Sequence, residues 1–230
     1  MGKSTTSLIS MTRLAEQGEL GGVMVRLMMV LQDFALANHA MAGWKAEKNG
    51  KLKDRHIGAG RYFLRLQMSH IFEAFALIEE IQKSDDLRAT VEACDAQTKK
   101  SFVALETFMK SDDYKLLLVI RNTIGFHYGR KVVLQSLERI KQRLDKKREE
   151  KKPVNDLVAV TLGSEALDWH FVPTEWVEND IVVRGIFKLP EGQPEDDQKK
   201  SDEIVDRLHE IAKTFGDFAG YFIKSHAKAS

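Results

Sequence analysis

The residue types best suited to chemistry in this chain are grouped at Arg121, Asn122 and His127. Arginine carries a permanent positive charge on a planar fork that matches the oxygens of a phosphate group. Histidine, with an unperturbed pKa near ~6.5, serves as a general base or a general acid at neutral pH. The amide of Asn122 is placed to hold either neighbour. The group therefore predicts acid–base chemistry on a phosphate ester.

The spacing of Arg121 and His127 limits how they can act together. On an ideal helix their separation corresponds to about 9 Å along the axis and about 120° around it. Two side chains so placed on one straight helix would not meet at one substrate. Either the helix ends near Gly125, or a two-fold dimer brings two copies of the group together.

The run Arg121-Asn122-Thr-Ile-Gly-Phe-His127 resembles the motif of HEPN domains, in which a polar residue follows the arginine and a histidine stands six positions after it. The resemblance covers these seven residues and their helical context. It implies an α-helical bundle that dimerises through the Arg121–His127 region and cleaves RNA without a metal, with Arg121, Asn122 and His127 as catalytic residues. It also implies 2′,3′-cyclic phosphate products and a toxin or phage-defence role, with an antitoxin or defence-system protein as partner.

A second arginine–histidine pair, Arg65 and His70, has a comparable spacing within an amphipathic segment. Arg65 is followed by the apolar Leu66, whereas the HEPN motif prefers a polar residue at that position. The sequence therefore favours Arg121 and His127.

A non-catalytic interpretation also remains open at this stage. Arg121 and Asn122 would then cap the carboxyl end of a buried helix, and His127 would lie in the core or in an interface. The protein would be a helical module that binds nucleic acid or another protein. In one version it would use the phenylalanine-rich last helix as a scaffold surface.

A basic segment follows the motif and is the candidate path for RNA. Lys and Arg side chains on it would neutralise phosphates and release counterions. Charge runs of this kind are also common on solvated helix faces. The candidate RNA-binding residues are Arg130, Lys131, Lys141, Arg143 and Lys147.

Composition sets the remaining bounds. The net charge of +1 gives no overall signature of a nucleic-acid binder, so any basic surface must be local. The single Cys94 excludes an internal disulfide and a cysteine-based zinc site, and a buried, inert thiol in a helix is expected. The seven histidines show no metal-ligand spacing. We expect no metal or cofactor, a cytoplasmic location and no membrane span, since the longest apolar runs are short or interrupted by charge.

Apolar periodicity predicts an all-α, up-and-down helical bundle in a single domain, 1–230, with a core bundle at about 20–152 and a C-terminal extension at 154–230. Glycines at 21, 22 and 43 are expected to bound the first long helix, and Ser84, Ser111 and Ser201 to cap the helices that follow them. Leu137 is expected on the apolar face of the helix 131–152. The region 154–190 is the weakest, with helix favoured slightly over a small β element. The predicted helices cover residues 23–41, 60–82, 86–98, 102–108, 114–120, 131–152, 174–187 and 201–222.

Overall fold

The fold is all-α, as the sequence predicts. The computed structural model describes residues 9–46, 59–120, 122, 129–161, 170–191 and 194–226. A short antiparallel ladder pairs Val160 with Phe171 and Thr161 with His170. A π-helical turn covers Ile181–Ile186. In chain order the elements are α1 (Met11–Glu16), α2 (Glu19–Ala46), α3 (Ala59–Lys83), α4 (Asp85–Glu92), α5 (Ala96–Phe108), α6 (Asp112–Ile120), α7 (Arg130–Glu149), β1 (Val160–Thr161), β2 (His170–Phe171), α8 (Val172–Asp180) and α9 (Pro194–His226).

Side-chain caps explain where the middle helices begin. Ser84 accepts a hydrogen bond from the Leu87 amide at 3.3 Å, and the hydroxyl of Ser111 accepts one from the Tyr114 amide at 3.2 Å, as the sequence predicts. Asp95 does the same for the Thr98 amide at 2.7 Å. This third cap divides the predicted helix 86–98, so Cys94 lies in the turn between α4 and α5 rather than in a helix.

Three predicted helix boundaries, at Gly21-Gly22, at Gly43 and at Ser201, are wrong because these residues lie inside helices. Gly21 lies inside α2, and a Cβ at this position would stand 1.8 Å from the Leu14 carbonyl oxygen, so the glycine permits a close approach of α1 rather than a break. The turn between α1 and α2 is made instead by Gly18, whose φ is +56°. Ser201 likewise lies inside α9, which already begins at Pro194, a residue favoured in the first turn of a helix.

Helix α2 is longer than the predicted stretch, because Gly43 also lies inside it. By length and composition alone, the segment Glu19–Trp44 could cross a membrane, since its mean hydropathy is 1.5. Within it, Arg26 pairs with Glu80 at 2.6 Å, and Asp33 lies 3.7 Å from His70. Charged side chains with polar partners on a neighbouring helix are typical of a helix that packs against other protein.

Residue contacts divide the chain into two compact units, and α2, α3, α6 and α9 contribute residues to both. Unit 1 comprises residues 1–36, 70–114 and 207–230, and unit 2 comprises residues 37–69 and 115–206.

The core of unit 1 is built on the phenylalanine side chains of α9. Phe215, Phe218 and Phe222 are at most 1% exposed. The ring of Phe218 lies 5.3 Å from that of Phe102, and Phe215 lies 6.2 Å from Phe34. The periodic apolar face predicted for the last helix is therefore core. A scaffold role for these phenylalanines is not compatible with their burial.

Unit 2 is organised by a buried carboxylate at the end of α8. Asp180 is 2% exposed, and the Arg139 guanidinium binds one of its oxygens at 2.7 Å while Arg143 binds the other. The hydroxyl of Ser136 also donates to the Val177 carbonyl at 3.2 Å. These bonds attach α7 to α8, and the helix favoured for 174–187 is confirmed as α8 and its π-helical turn.

Replacement of Asp180 by alanine should lower the free energy of unfolding by about 2–4 kcal/mol, because two arginines would lose their anion. The effect stays below that for a fully buried pair, because the arginine side chains are 33% and 29% exposed and water would solvate them. Urea denaturation of the wild type and the variant measures the difference.

The matched control is Asp156→Ala, which removes an exposed partner of Arg148. We expect a change of less than about 0.5 kcal/mol for this control. Equal losses for the two aspartates would contradict a structural role of Asp180.

Candidate functional site

The candidate site begins where α6 ends. Ile120, the last residue of α6, is 4% exposed, and the side chain of Asn122 is exposed. Arg121 and His127 lie outside the described residues. Helix α6 is amphipathic rather than buried on every side as its apolar run predicts, since Val119 is 43% exposed while Leu117 is fully buried. The buried last residue of α6 is thus followed within two positions by an accessible polar residue.

The competing pair, Arg65 and His70, has acidic neighbours. Arg65 forms an ion pair with Glu178 at 3.0 Å within unit 2, and both side chains are less than 20% exposed. His70 lies 3.7 Å from Asp33 in unit 1, and its ring makes an edge contact with Phe34 at 6.2 Å. These contacts give both residues a structural role, and they favour the pair at Arg121 and His127 further.

The five candidate RNA-binding residues lie on two different faces of α7. Arg130 and Lys141 are about 20° apart around the helix axis, with Lys131 at the edge of the same face. All three side chains are exposed. Arg143 lies on roughly the opposite side, about 140° around the axis from Arg130. Lys147 lies about 100° from Arg130, on the flank away from Lys131. The structure therefore groups Arg130, Lys131 and Lys141 and separates them from the other two.

Arg143 differs from the other candidate RNA-binding residues because it binds a carboxylate within the protein. Its guanidinium binds the buried Asp180 carboxylate and is 29% exposed. Lys147 lies four residues after Arg143 on the same helix, and its side chain is exposed. Part of the hydrogen-bonding capacity of Arg143 is used inside the fold, so the three grouped cations are better placed to meet a phosphate backbone.

The exposed face of α7 also carries two leucines that the sequence pattern did not identify as surface residues. Leu134 is 54% exposed, and Leu137, which the periodicity assigns to the buried face, is 48% exposed. Beside Leu134 lies an open depression of about 560 Å³ lined by Arg130, Lys131, Gln135 and Glu138. Helical spacing in the sequence could have identified these surface leucines, because it places Leu134 and Leu137 on the same face as the charged residues Arg130 and Lys141.

A separate titratable cluster in unit 1 joins the end of α9 to the α4–α5 turn. The Cys94 Sγ and His226 Nε2 atoms lie 3.3 Å apart, and the His226 ring packs on Phe222 at 4.7 Å. Burial raises the pKa of the Cys94 thiol, although a hydrogen bond with Ser225 opposes this. Burial lowers the pKa of His226, against the opposing effect of a hydrogen bond with the Thr90 backbone. Both groups are therefore neutral near pH 7, and Cys94 is not an activated nucleophile.

This cluster predicts a pH dependence of stability. The pKa of His226 is lower in the folded protein than its ordinary value of 6.5, so below that value the unfolded chain binds the proton more readily. Stability should therefore be highest above pH 6.5 and should fall as the pH decreases through and below it. Asp95, with a pKa lowered by hydrogen bonds from Thr98, contributes only at more acidic pH, below its ordinary 3.8.

Urea denaturation between pH 5 and 7.5, in wild type and His226→Gln, measures the effect. The glutamine variant should lose much of the slope with pH, whereas His209→Gln, at an exposed position on the same helix, should keep it. Identical slopes in all three proteins would contradict the assignment to His226.

Within the described part of the chain, no three or more His, Cys, Asp or Glu side chains are grouped so that they could hold a metal ion. Comparison of the chain with protein-family models, with curated proteins and with solved structures finds no match.

Proposed function

We propose that this protein is a metal-independent endoribonuclease of the HEPN type, with Arg121, Asn122 and His127 as its catalytic residues. The observation that carries the proposal is the Arg-Asn-x4-His pattern in an all-α fold, at a point where the buried end of α6 is followed by the exposed Asn122. The ion pair of Arg65 with Glu178 and the contact of His70 with Asp33 support it, because they give the competing motif a structural explanation.

The chemistry needs a base, an acid and a cation. A base takes the proton of the ribose 2′-hydroxyl, and the 2′-oxygen attacks the adjacent phosphorus. The bond from phosphorus to the 5′-oxygen breaks, and that oxygen receives a proton from the acid. One chain then ends in a 2′,3′-cyclic phosphate and the other in a 5′-hydroxyl.

Each residue has a role in this scheme. His127 serves as the base or the acid, and Arg121 stabilises the charge that develops on the phosphate. Asn122 orients one of the two. Since one straight helix would keep Arg121 and His127 apart, we propose that a homodimer combines the residues of two copies at one phosphodiester. Arg130, Lys131 and Lys141 guide the RNA backbone toward it.

The cellular role follows from the same resemblance. An endoribonuclease of this type would act in the cytoplasm as a toxin or a phage-defence component, and a partner protein would restrain it.

A non-catalytic binding module is the second candidate. The observation that favours it is the pair of exposed leucines on α7, which lie one turn apart on a single face of the helix. Such a module would bind nucleic acid or protein without turnover.

The test is incubation of the purified protein with labelled single-stranded RNA in EDTA. The proposal expects cleavage that persists without divalent metal and yields 2′,3′-cyclic phosphate ends. Binding without cleavage at every pH tested would establish the second candidate instead.

A further inference from the structure

We propose that the exposed face of α7 binds an acidic amphipathic helix of a partner protein. This face is defined by Arg130, Leu134, Leu137 and Lys141, and we call it the α7 face. Cation, leucine, leucine and cation follow one another at intervals of four, three and four residues, so they form one strip on the helix. The strip is about 16 Å long, or roughly three turns.

The centre of the α7 face is apolar. About half of each leucine side chain is exposed, at 54% for Leu134 and 48% for Leu137. The depression beside Leu134 is open, and the side chains that line it all lie on α7. Leucines exposed one turn apart on one face match the apolar contacts by which two amphipathic helices pack against each other.

The rim of the α7 face is basic, which indicates the charge of the partner. Arg130 and Lys131 stand at one end and Lys141 at the other, and all three side chains are exposed. The carboxylate of Glu138 lies nearby and accepts a hydrogen bond from Gln142 at 3.2 Å. Cations at both ends of an apolar strip complement a helix whose apolar stripe is flanked by Glu or Asp.

The same charges argue against a second copy of this chain as the occupant. In an antiparallel pairing of two α7 faces, Arg130 of one copy would meet Lys141 of the other. In a parallel pairing, each cation would meet its own equivalent. Both arrangements place like charges together and are unfavourable.

RNA is a poorer occupant of the leucines than a peptide. Single-stranded bases gain their affinity by stacking on aromatic rings, and leucine has no π face. RNA would contact the cations and leave the leucines in water. An acidic helix would use both, so it would compete with RNA for Arg130, Lys131 and Lys141. That competition rests on the proposed function, whereas the peptide binding does not.

The experiment uses a fluorescein-labelled helical peptide of about four turns, with leucines on one stripe and glutamates beside it, and the full-length protein. Its control is a peptide of the same composition with the leucines spread around the helix. Fluorescence anisotropy should show at least about tenfold tighter binding of the striped peptide, a difference of one unit in log Kd.

Variants locate the binding surface. The double variant Leu134→Ser/Leu137→Ser and the single variant Lys141→Glu should each weaken striped-peptide binding by about tenfold or more. The matched control is Leu36→Ser, at a leucine 59% exposed on α2, and it should change the affinity by less than about twofold. Circular dichroism checks that every variant is folded.

The outcomes separate this proposal from the proposed function. Equal binding of the two peptides, or an equal loss with Leu36→Ser, would overturn it. If the leucine variants weaken binding of a single-stranded oligonucleotide RNA as much as that of the peptide, the α7 face is an RNA surface and the proposal fails. Peptide binding that survives in a protein without ribonuclease activity would support it while refuting the enzyme.

Discussion

Replacement of His127 by alanine is expected to reduce RNA cleavage by on the order of 10²–10⁴-fold. The reason is that alanine has no group to take the proton of the 2′-hydroxyl or to protonate the leaving oxygen, while Arg121 remains to bind phosphate. RNA affinity should therefore change little. Single-turnover cleavage of labelled RNA gives the rate, and a binding titration of uncleaved RNA gives the affinity.

The control for this variant is His70→Gln, which alters the competing motif. His70 lies beside Asp33 and Phe34 inside unit 1, so its replacement should affect stability but leave the cleavage rate of the folded protein within about threefold. If His70→Gln abolishes cleavage and His127→Ala does not, the catalytic pair is Arg65 and His70 instead. If His127→Ala cuts as well as wild type, the catalytic assignment is refuted.

Truncation of Phe218 to alanine is expected to lower the free energy of unfolding by about 3–5 kcal/mol. This ring is fully buried between Phe102 at 5.3 Å and Phe222 at 5.5 Å, so its loss leaves a cavity in the core of unit 1. In a chain of this size the melting temperature should fall by about 10 °C. Urea denaturation and a thermal scan measure the two quantities.

Tyr221→Ala is the matched control, since this ring lies on the same helix and is 40% exposed. Its replacement should cost less than about 1 kcal/mol. Phe218→Asp distinguishes core from interface, because burial of an unpaired charge should unfold the protein rather than dissociate a dimer. A folded, monomeric Phe218→Asp variant would instead show that α9 is a contact between copies.

Local interactions explain why much of the helical framework was predictable. Ser84 and Ser111 cap helices through amides only three residues away, so the signal is contained in a few neighbouring positions. The apolar periodicity of α9 likewise identifies Phe215, Phe218 and Phe222 as one buried face, because burial of one side of a helix imposes that spacing.

The predicted helix boundaries were wrong where one residue type is compatible with two structural roles. Gly21 was predicted to break a helix but permits α1 to approach α2 closely, and the sequence does not distinguish these uses because both require the absence of a Cβ. Ser201 has the right type for a cap, yet the helix had already begun at Pro194. Propensity describes what a residue allows, and packing decides which permitted use occurs.

For the candidate site, the sequence by itself determined the chemistry: which residues carry a permanent charge, a titratable ring or an amide, and that Arg130 shares a helix face with Lys141. Only the tertiary structure decided that Arg143 binds Asp180, 37 residues away, and that Leu137 stays exposed. The physical reason is that side-chain chemistry and helical period are local properties. Burial and ion pairing depend on which distant segment packs against each face, and neighbouring positions along the chain carry no record of it.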